Sequence, residues 1–175
     1  SVEHPGAFWA AVWKFFGVIG DPGDTAHVPA ELPEAKFFPH ATLNLAENIL
    51  GYASNRDDAG LPILVVTAEM GTGIGVLAQL TRDQLIDAVA ETTAALIDRG
   101  VRPGDRVALV LPAGLDAYIV NLAGLAIGAV MCSASPDFGV AAIVDRFAQL
   151  DPVLLVGTTS YRWNGKRHDR HEHLV

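Results

Sequence analysis

Short apolar runs in the second half of the chain alternate with segments whose apolar residues recur at helical spacing. The runs predict three strands, at residues 106–111, 129–133 and 153–157. The spaced segments predict two helices, one over residues 115–127 and one through Val140, Ile143, Val144 and Phe147. Strands that alternate with helices form parallel sheets with right-handed crossovers. The pattern therefore predicts an α/β fold, a partial three-layer structure in which helices flank a mostly parallel sheet.

The first part of the chain has a different pattern. An aromatic, helix-like segment covers residues 8–19, four prolines follow within residues 21–41, and a short helix is predicted at 43–53. We therefore expect residues 1–60 to form an N-terminal helical and extended arm, and residues 61–175 to form an incomplete α/β subdomain of a larger enzyme.

The α/β part is predicted to open with a strand at residues 63–67. The glycine-rich segment 71–75 follows it and could be a dinucleotide-binding loop. Its third glycine comes one place too early for that fingerprint, and the next helix begins later, at a capping box formed by Thr81 and Gln84. A hairpin turn that leads to a partner strand at residues 76–80 is therefore favoured. Gly100 is predicted to end the helix.

The composition of the chain indicates which ligands it can bind and in which cellular compartment it occurs. The net charge of −8 argues against nucleic acid as the main ligand, because duplex binding needs a basic face. The single cysteine, Cys132, allows no internal disulfide, so we expect a reducing, cytoplasmic compartment. The apolar stretch 117–134 reads as a buried helix that runs into a buried strand, and the first residues do not resemble a signal peptide. No membrane association is expected.

The chain is also more apolar than most soluble domains. Half of its residues are hydrophobic and 18% are charged, against about 25% charged residues in typical domains. Either a partner buries part of the surface or further sequence belongs to the fold. Self-association of the chain is one hypothesis that follows.

A basic segment at residues 161–167 follows the third predicted strand. Arg162, Lys166 and Arg167 supply positive charge, and Gly165 allows a backbone to approach a phosphate. In open α/β sheets, ligands bind at the carboxyl ends of the strands. A solvated basic loop is the alternative, but in so acidic a chain this concentration of cations favours an anion site.

A second candidate segment follows the second predicted strand, at the same edge of the sheet. It consists of Ser135, Pro136, Asp137 and Phe138. Asp137 could contact a ligand or could simply cap the next helix, and spacing alone does not separate the two.

Two other groups of residues carry less weight as candidate sites. His168, His171 and His173 match no standard metal spacing, so a solvated end of the chain is favoured over a metal site. Cys132, Ser133 and Ser135 lie in no nucleophile elbow, and Cys132 is expected to be inert packing.

Several segments resemble the opening of the adenylate-forming acyl-CoA synthetases, namely residues 8–13, 37–39, 43–48 and 100–108. Within that family, residues 132–139 and 161–167 resemble the acetoacetyl-CoA synthetases. The resemblance implies a ligase that uses ATP, Mg²⁺ and coenzyme A to activate a short acid through an acyl-adenylate. Acetoacetate is the first choice of acid, with acetate or propionate as alternatives, and a stand-alone module that binds coenzyme A or a nucleotide is a rival.

The resemblance also implies roles for particular residues. Lys166 is the best match for a basic contact to the phosphates of coenzyme A, with Arg162 and Arg167 as neighbours. Trp163 stands where acetyl-type enzymes have a second arginine, which puts a two-arginine clamp in doubt. Residues 135–138 match a stretch that borders the coenzyme A channel in those relatives.

The family's Ser/Thr/Gly-rich phosphate loop, its adenylate motif and its catalytic lysine match no segment of this sequence. Most of the ATP and Mg²⁺ sites are thus expected in the remainder of the same enzyme. We therefore expect no catalytic residue in this chain, and no ligase activity from it alone.

Overall fold

The computed structural model describes residues 3–54, 60–70 and 73–171. Contacts divide the chain into two compact units, residues 1–52 and 53–175. The helices are α1 (Pro5–Phe15), α2 (Leu45–Ser54), α3 (Arg82–Asp98), α4 (Leu115–Ile127) and α5 (Val140–Ala148). The strands are β1 (His27–Val28), β2 (Lys36–Phe37), β3 (Pro62–Met70), β4 (Gly73–Thr81), β5 (Arg106–Val110), β6 (Val130–Ala134), β7 (Leu154–Gly157), β8 (Ser160–Trp163) and β9 (Lys166–Asp169).

A three-stranded parallel sheet organises the second unit. Its order is β6-β5-β7, so β5 is central and pairs with both neighbours. The side chains of residues 107–110 in β5 are buried. Such a fully apolar central strand is what a sheet covered on both faces requires. The α/β prediction is confirmed.

Helices cover the two faces of this sheet. Met131 of β6 lies against Gly124 of α4, whereas Cys132 and Ala134 belong to the apolar cluster around Phe147 of α5. Successive side chains of a strand point to opposite faces, so α4 and α5 lie on opposite sides of the sheet. Because α3 packs on α4, the layers are α3 with α4, the sheet, and α5.

An antiparallel hairpin precedes these layers. Strands β3 and β4 pair from Pro62 with Thr81 to Met70 with Gly73. The hairpin prediction for the glycine-rich segment is thus confirmed, although residues 71 and 72 lie outside the described residues. The capping box is present as predicted, since the Thr81 N–H donates to Gln84 Oε1 at 2.9 Å and the Gln84 N–H to Thr81 Oγ1 at 3.4 Å.

The first unit has little buried core. Helix α1 buries none of its residues. It ends at Phe15, not at Ile19 as predicted, because Gly17 takes a left-handed backbone with φ +62°. Aromatic edges provide much of the packing: Trp9 contacts Phe37 at 6.2 Å between ring centroids, and Trp13 contacts Phe38 at 5.0 Å.

One amide side chain connects α2 to the segment after α1. Asn48 Oδ1 accepts a hydrogen bond from the Ile19 N–H, and Asn48 Nδ2 donates to the Ile19 carbonyl, both at 2.8 Å. The same Nδ2 donates to the carbonyl of Asn44 at 2.9 Å. Asn48 therefore satisfies both backbone groups of a residue 29 positions away.

Among the described residues, no helix is long and apolar enough to cross a membrane. The apolar stretch 117–134 is divided between α4 and β6, as predicted.

We expect Asn48→Ala to lower the free energy of unfolding of the first unit by about 1–3 kcal/mol, because it leaves both backbone groups of Ile19 without this partner. Asn48→Asp should cost a similar amount, since a carboxylate cannot donate to the two carbonyls. Urea unfolding followed by the fluorescence of Trp9 and Trp13, in a Trp163→Phe background, measures both. Gln149, an exposed residue at the C-cap of α5 in the other unit, is the control position, and Gln149→Ala should change little. An unchanged unfolding midpoint for Asn48→Ala would contradict the conclusion that the Asn48 side chain stabilises the first unit.

Candidate functional site

The carboxyl ends of three strands meet at one edge of the parallel sheet. Val110 of β5 lies beside Ala134 of β6 and beside Gly157 of β7. The chain leaves β5 towards β6 on one side and later returns through β7 on the other, so β5 lies at a switch in strand order. Such a switch point is where open α/β sheets bind ligands. Both candidate segments of the sequence follow strands that end here.

The turn after β6 contains one of these segments. Ser135 and Asp137 are exposed, Pro136 is buried and Phe138 is half-buried. The Phe138 N–H donates to the Ser135 carbonyl at 3.2 Å and closes the turn. Asp137 and Ser135 therefore face solvent, while the two apolar residues anchor the turn.

The interpretation of Asp137 as a helix cap is wrong. Gly139 is the N-cap of α5, and it makes no side-chain cap bond. The Ile143 N–H donates to the Gly139 carbonyl at 3.2 Å, which places Asp137 two residues before the cap. A capping side chain has to come from the N-cap position itself to reach the first amides of the helix. The Asp137 carboxylate thus serves no capping role.

Phe138 is fixed from two sides. It packs against the apolar cluster of Ala108, Val110, Ala134 and Phe147. On the other side, the guanidinium carbon of Arg146 lies 4.8 Å from the centroid of the Phe138 ring, a cation–π distance. Arg146 was not singled out from the sequence, where it is simply one charged residue of α5.

The basic segment is a β-hairpin, not the loop that the sequence predicted. Strands β8 and β9 pair antiparallel, and the two-residue turn is Asn164-Gly165. Both turn residues have positive φ, +48° and +72°, as a type I′ turn requires. The hairpin thus gives its side chains a fixed register.

That register separates the three predicted cations. Arg162 lies directly opposite Arg167, and Trp163 lies opposite Lys166. Because side chains alternate along a strand, the two arginines share one face and Lys166 lies on the other. The structure therefore brings Arg162 and Arg167 together and does not bring Lys166 to them.

The arginine face has an unbalanced charge. Both guanidinium groups are exposed, and no ion pair or hydrogen bond joins their side chains to another residue of the described ranges. Asp169 lies on the same face, but its Oδ1 accepts a hydrogen bond from the His171 N–H at 2.8 Å. Like charges directly opposite on a hairpin are destabilising, and a bound anion would remove that repulsion.

The base of the hairpin is held by aromatic and cationic contacts. The rings of Tyr161 and His168 stack at 5.1 Å with an interplanar angle of 16°. Arg170 Nη2 donates to Tyr161 Oη at 3.2 Å, and its guanidinium carbon lies 5.5 Å from the centroid of that ring. Sequence reasoning stopped at Arg167 and missed Arg170. The Asn-Gly turn was the signal that would have continued the pairing to this residue.

A cavity of about 490 Å³ lies between α5 and the sheet. Its wall is mostly apolar, with Asp151 and Arg170 as the charged residues. Of the residues that the sequence singled out as site candidates, Pro136 lines it, whereas Ser135, Asp137, Phe138, Arg162, Lys166 and Arg167 do not. The cavity therefore joins the turn after β6 to the end of the hairpin through Pro136 and Arg170.

No group of three or more His, Cys, Asp or Glu side chains within residues 3–54, 60–70 and 73–171 could hold a metal ion. His168 stacks on Tyr161, His171 is exposed, and His173 lies outside the described residues. Cys132 is a free, half-buried thiol that packs beside Phe147.

Comparisons with known proteins agree with this arrangement. The family model described as "AMP-binding enzyme" matches residues 67–174. Acetoacetyl-coenzyme A synthetase from Rhizobium meliloti is 39% identical over 170 residues, which are 97% of this chain and 25% of that protein. Acetoacetyl-CoA synthetase from Macaca fascicularis is 37% identical over 179 residues, covering 99% of this chain and 25% of that protein.

A solved structure extends the likeness to the fold. The structure of acetoacetyl-CoA synthetase from Streptomyces lividans matches with a TM-score of 0.84 and 37% identity, over 98% of this chain and 26% of that one. The chain thus spans about a quarter of the length of these relatives. Since the family model covers more than half of the chain, the chain belongs to the family of AMP-binding enzymes.

Proposed function

We propose that this chain is the N-terminal portion of an acid–thiol ligase that forms acetoacetyl-CoA from acetoacetate, ATP and coenzyme A. The observation that carries the proposal is the match to acetoacetyl-CoA synthetases along nearly the whole chain, at 37–39% identity. In the proposed reaction, the acid is activated as an acyl-adenylate and the thiol of coenzyme A then displaces AMP.

In that reaction, the proposed role of this chain is to bind coenzyme A. Arg162 and Arg167 form an exposed pair of cations with no acidic partner among the described side chains, and guanidinium groups form strong charge-assisted hydrogen bonds with phosphate. Lys166 supplies a further cation from the opposite face. The arginine pair fits one phosphate group at the nucleotide end of coenzyme A, and Lys166 fits another from the opposite face.

The turn after β6 suits a different part of the same molecule. The exposed carboxylate of Asp137 would repel a phosphate group, so we place the phosphates at the hairpin. Ser135, Pro136, Asp137 and Phe138 would border the path of the uncharged arm that ends in the thiol. Arg146 holds Phe138 and so keeps this turn in place as coenzyme A binds.

The remaining chemistry is proposed to lie in the remainder of the enzyme. Mg²⁺ supplies charge neutralisation when phosphoryl and adenylyl groups are transferred, and the described part of this chain contains no candidate cluster for it. The ATP site and the acid pocket are likewise proposed to come from other sequence. Acetate and propionate are alternative substrates, and the same two-step mechanism would apply to them.

We expect the pure chain to show no acetoacetate-dependent exchange between ATP and pyrophosphate, because adenylate formation needs groups that it lacks. The full-length polypeptide that contains it should show exchange, and a panel of short acids should rank acetoacetate first. A radiolabelled pyrophosphate assay measures both. Exchange by the pure chain would refute the proposal that adenylate formation needs the remainder of the enzyme. A full-length enzyme that prefers acetate would refute acetoacetate as the substrate.

We expect the chain to bind coenzyme A, and Lys166→Ala to weaken binding by about tenfold, the loss of one charge-assisted hydrogen bond. Isothermal titration at low salt is the measurement. Lys36→Ala is the matched control, because it removes the same charge from an exposed strand of the first unit and should not change affinity. Equal affinity of the Lys166 and Lys36 variants would remove Lys166 from the site. Binding without any exchange in the full-length enzyme would favour a simple binding module.

The surface of the second unit suggests partners as well. Strand β7 pairs with β5 and with no other described strand. Leu155, on this strand, is 44% exposed, and Val153, which directly precedes the strand, is 56% exposed. Apolar edge strands of this kind associate with other strands. We propose that the remainder of the enzyme covers this edge, and that the chain self-associates through it when alone.

Sedimentation velocity over a range of concentrations should therefore show dimers or larger species. Val153→Lys with Leu155→Lys should shift the chain to monomer, because lysines on an edge oppose strand pairing. The matched control is Ile97→Lys on helix α3, where Ile97 is 45% exposed, because a lysine there leaves both strand edges of the sheet unchanged. A concentration-independent monomer of the unaltered chain would contradict self-association.

A further inference from the structure

The lysine face of the hairpin combines aromatic rings with a cation. Tyr161, Trp163, Lys166 and His168 share this face. Tyr161 and His168 are half-buried and stacked on each other. Trp163, further towards the turn, is 71% exposed and makes no ring contact with the described part of the chain.

An exposed indole in this position has a cost. Trp is among the largest apolar side chains, and its burial would be favourable by the apolar area that it removes from water. Nothing at its own position in the hairpin requires it, because a strand next to a type I′ turn accepts many smaller residues. Covering the exposed ring would therefore be favourable, and a flat, aromatic partner fits the shape of its face.

Lys166 specifies the chemistry of that partner. Residues directly opposite on an antiparallel pair have Cβ atoms about 4.5–5.5 Å apart, so the ammonium group of Lys166 can reach ligand groups beside the indole. A π-face next to a cation matches a nucleobase with a phosphate attached to its ribose. Stacking on an aromatic side chain is a general means of binding such bases.

The platform is also rigid. The Asn164-Gly165 turn fixes its outer end, and the Tyr161–His168 stack, held by Arg170, fixes its inner end. A pre-ordered ring loses little conformational freedom when a base stacks on it.

We propose that Trp163 is the stacking platform for the adenine base of coenzyme A, and that Lys166 contacts a phosphate of the same nucleotide. The inference rests on the proposed assignment of coenzyme A to this hairpin. It goes beyond that assignment because it names the base as a recognised group and gives Trp163 a role other than charge.

The test compares a probe that carries the base with one that does not. Adenosine 3′,5′-bisphosphate contains the nucleotide end of coenzyme A, and pyrophosphate supplies phosphate alone. Affinities for both are measured by isothermal titration with the unaltered chain and with Trp163→Phe, Trp163→Leu and Trp163→Arg. Trp163→Leu keeps an apolar side chain without a π-face, so it separates stacking from simple packing.

We expect the bisphosphate to bind the unaltered chain at least tenfold more tightly than pyrophosphate. Trp163→Phe should keep most of that preference, and Trp163→Leu should lose it, a weakening of about tenfold, in line with the usual effect of removing one stacking ring. Trp163→Arg should bind pyrophosphate more tightly and lose the preference for the base. The bisphosphate should quench the fluorescence of the unaltered chain, and Trp163→Phe should abolish this quenching although Trp9 and Trp13 remain.

The outcomes separate this inference from the proposed function. If Trp163→Leu binds both probes as the unaltered chain does, while Lys166→Ala still weakens coenzyme A, stacking is wrong and the assignment of the hairpin stands. If Trp163→Leu alters only the sedimentation of the chain, the indole is a packing surface and the inference is also wrong. If neither probe binds the unaltered chain at millimolar concentration, both the inference and the assignment of the hairpin fail.

Discussion

The pairing of β5 with a parallel strand on each side is the constraint on which the rest of the second unit depends. Residues 107–110 of β5 are buried on both faces, so a shift of register would break contacts with α4 and α5 at once. Because both neighbours run parallel to β5, the chain must leave the sheet three times at the same edge. The turn at 135–138 and the β8–β9 hairpin are next to that edge for this reason, although they lie far apart along the chain.

The helices and strands that could be predicted from the sequence were those with a long pattern of apolar residues. Helix α4 has 13 mostly apolar residues, more than three turns, and its predicted bounds agree with the structure. The sheet followed because three apolar runs alternated with helices. The hairpin was missed because each of its strands has only four residues, and the charges of Arg162, Lys166 and Arg167 concealed the alternation. The Asn164-Gly165 dipeptide is a strong hairpin signal, but the sequence analysis used Gly165 only as a point where the backbone can approach a phosphate.

The local chemistry of the site was harder to predict, for a physical reason. Sequence proximity placed three cations in seven residues, but contact between side chains depends on which face each one occupies. That face is set by strand register, which is invisible until the turn is identified. Arg170 and Arg146 were missed for a related reason, since each contacts an aromatic ring that only the fold brings next to it, Tyr161 and Phe138. The two possible roles of Asp137, helix cap and ligand contact, could not be separated from spacing, because a shift of two residues in the start of α5 decides whether a carboxylate can cap it.

The two-residue turn between Trp163 and Lys166 has a consequence for how this hairpin could change over evolution. The side chains that share each face of the hairpin depend on the length of the turn as much as on the identities of the residues. If the two-residue Asn164-Gly165 turn is kept, one residue inserted between it and Lys166 would shift every later side chain of β9 to the opposite face. Lys166 would then join Arg162, and Arg167 would join Trp163, so a single codon would exchange the cations of the two faces without a substitution. Segment length is therefore as informative as residue identity when hairpins of this kind are compared among relatives.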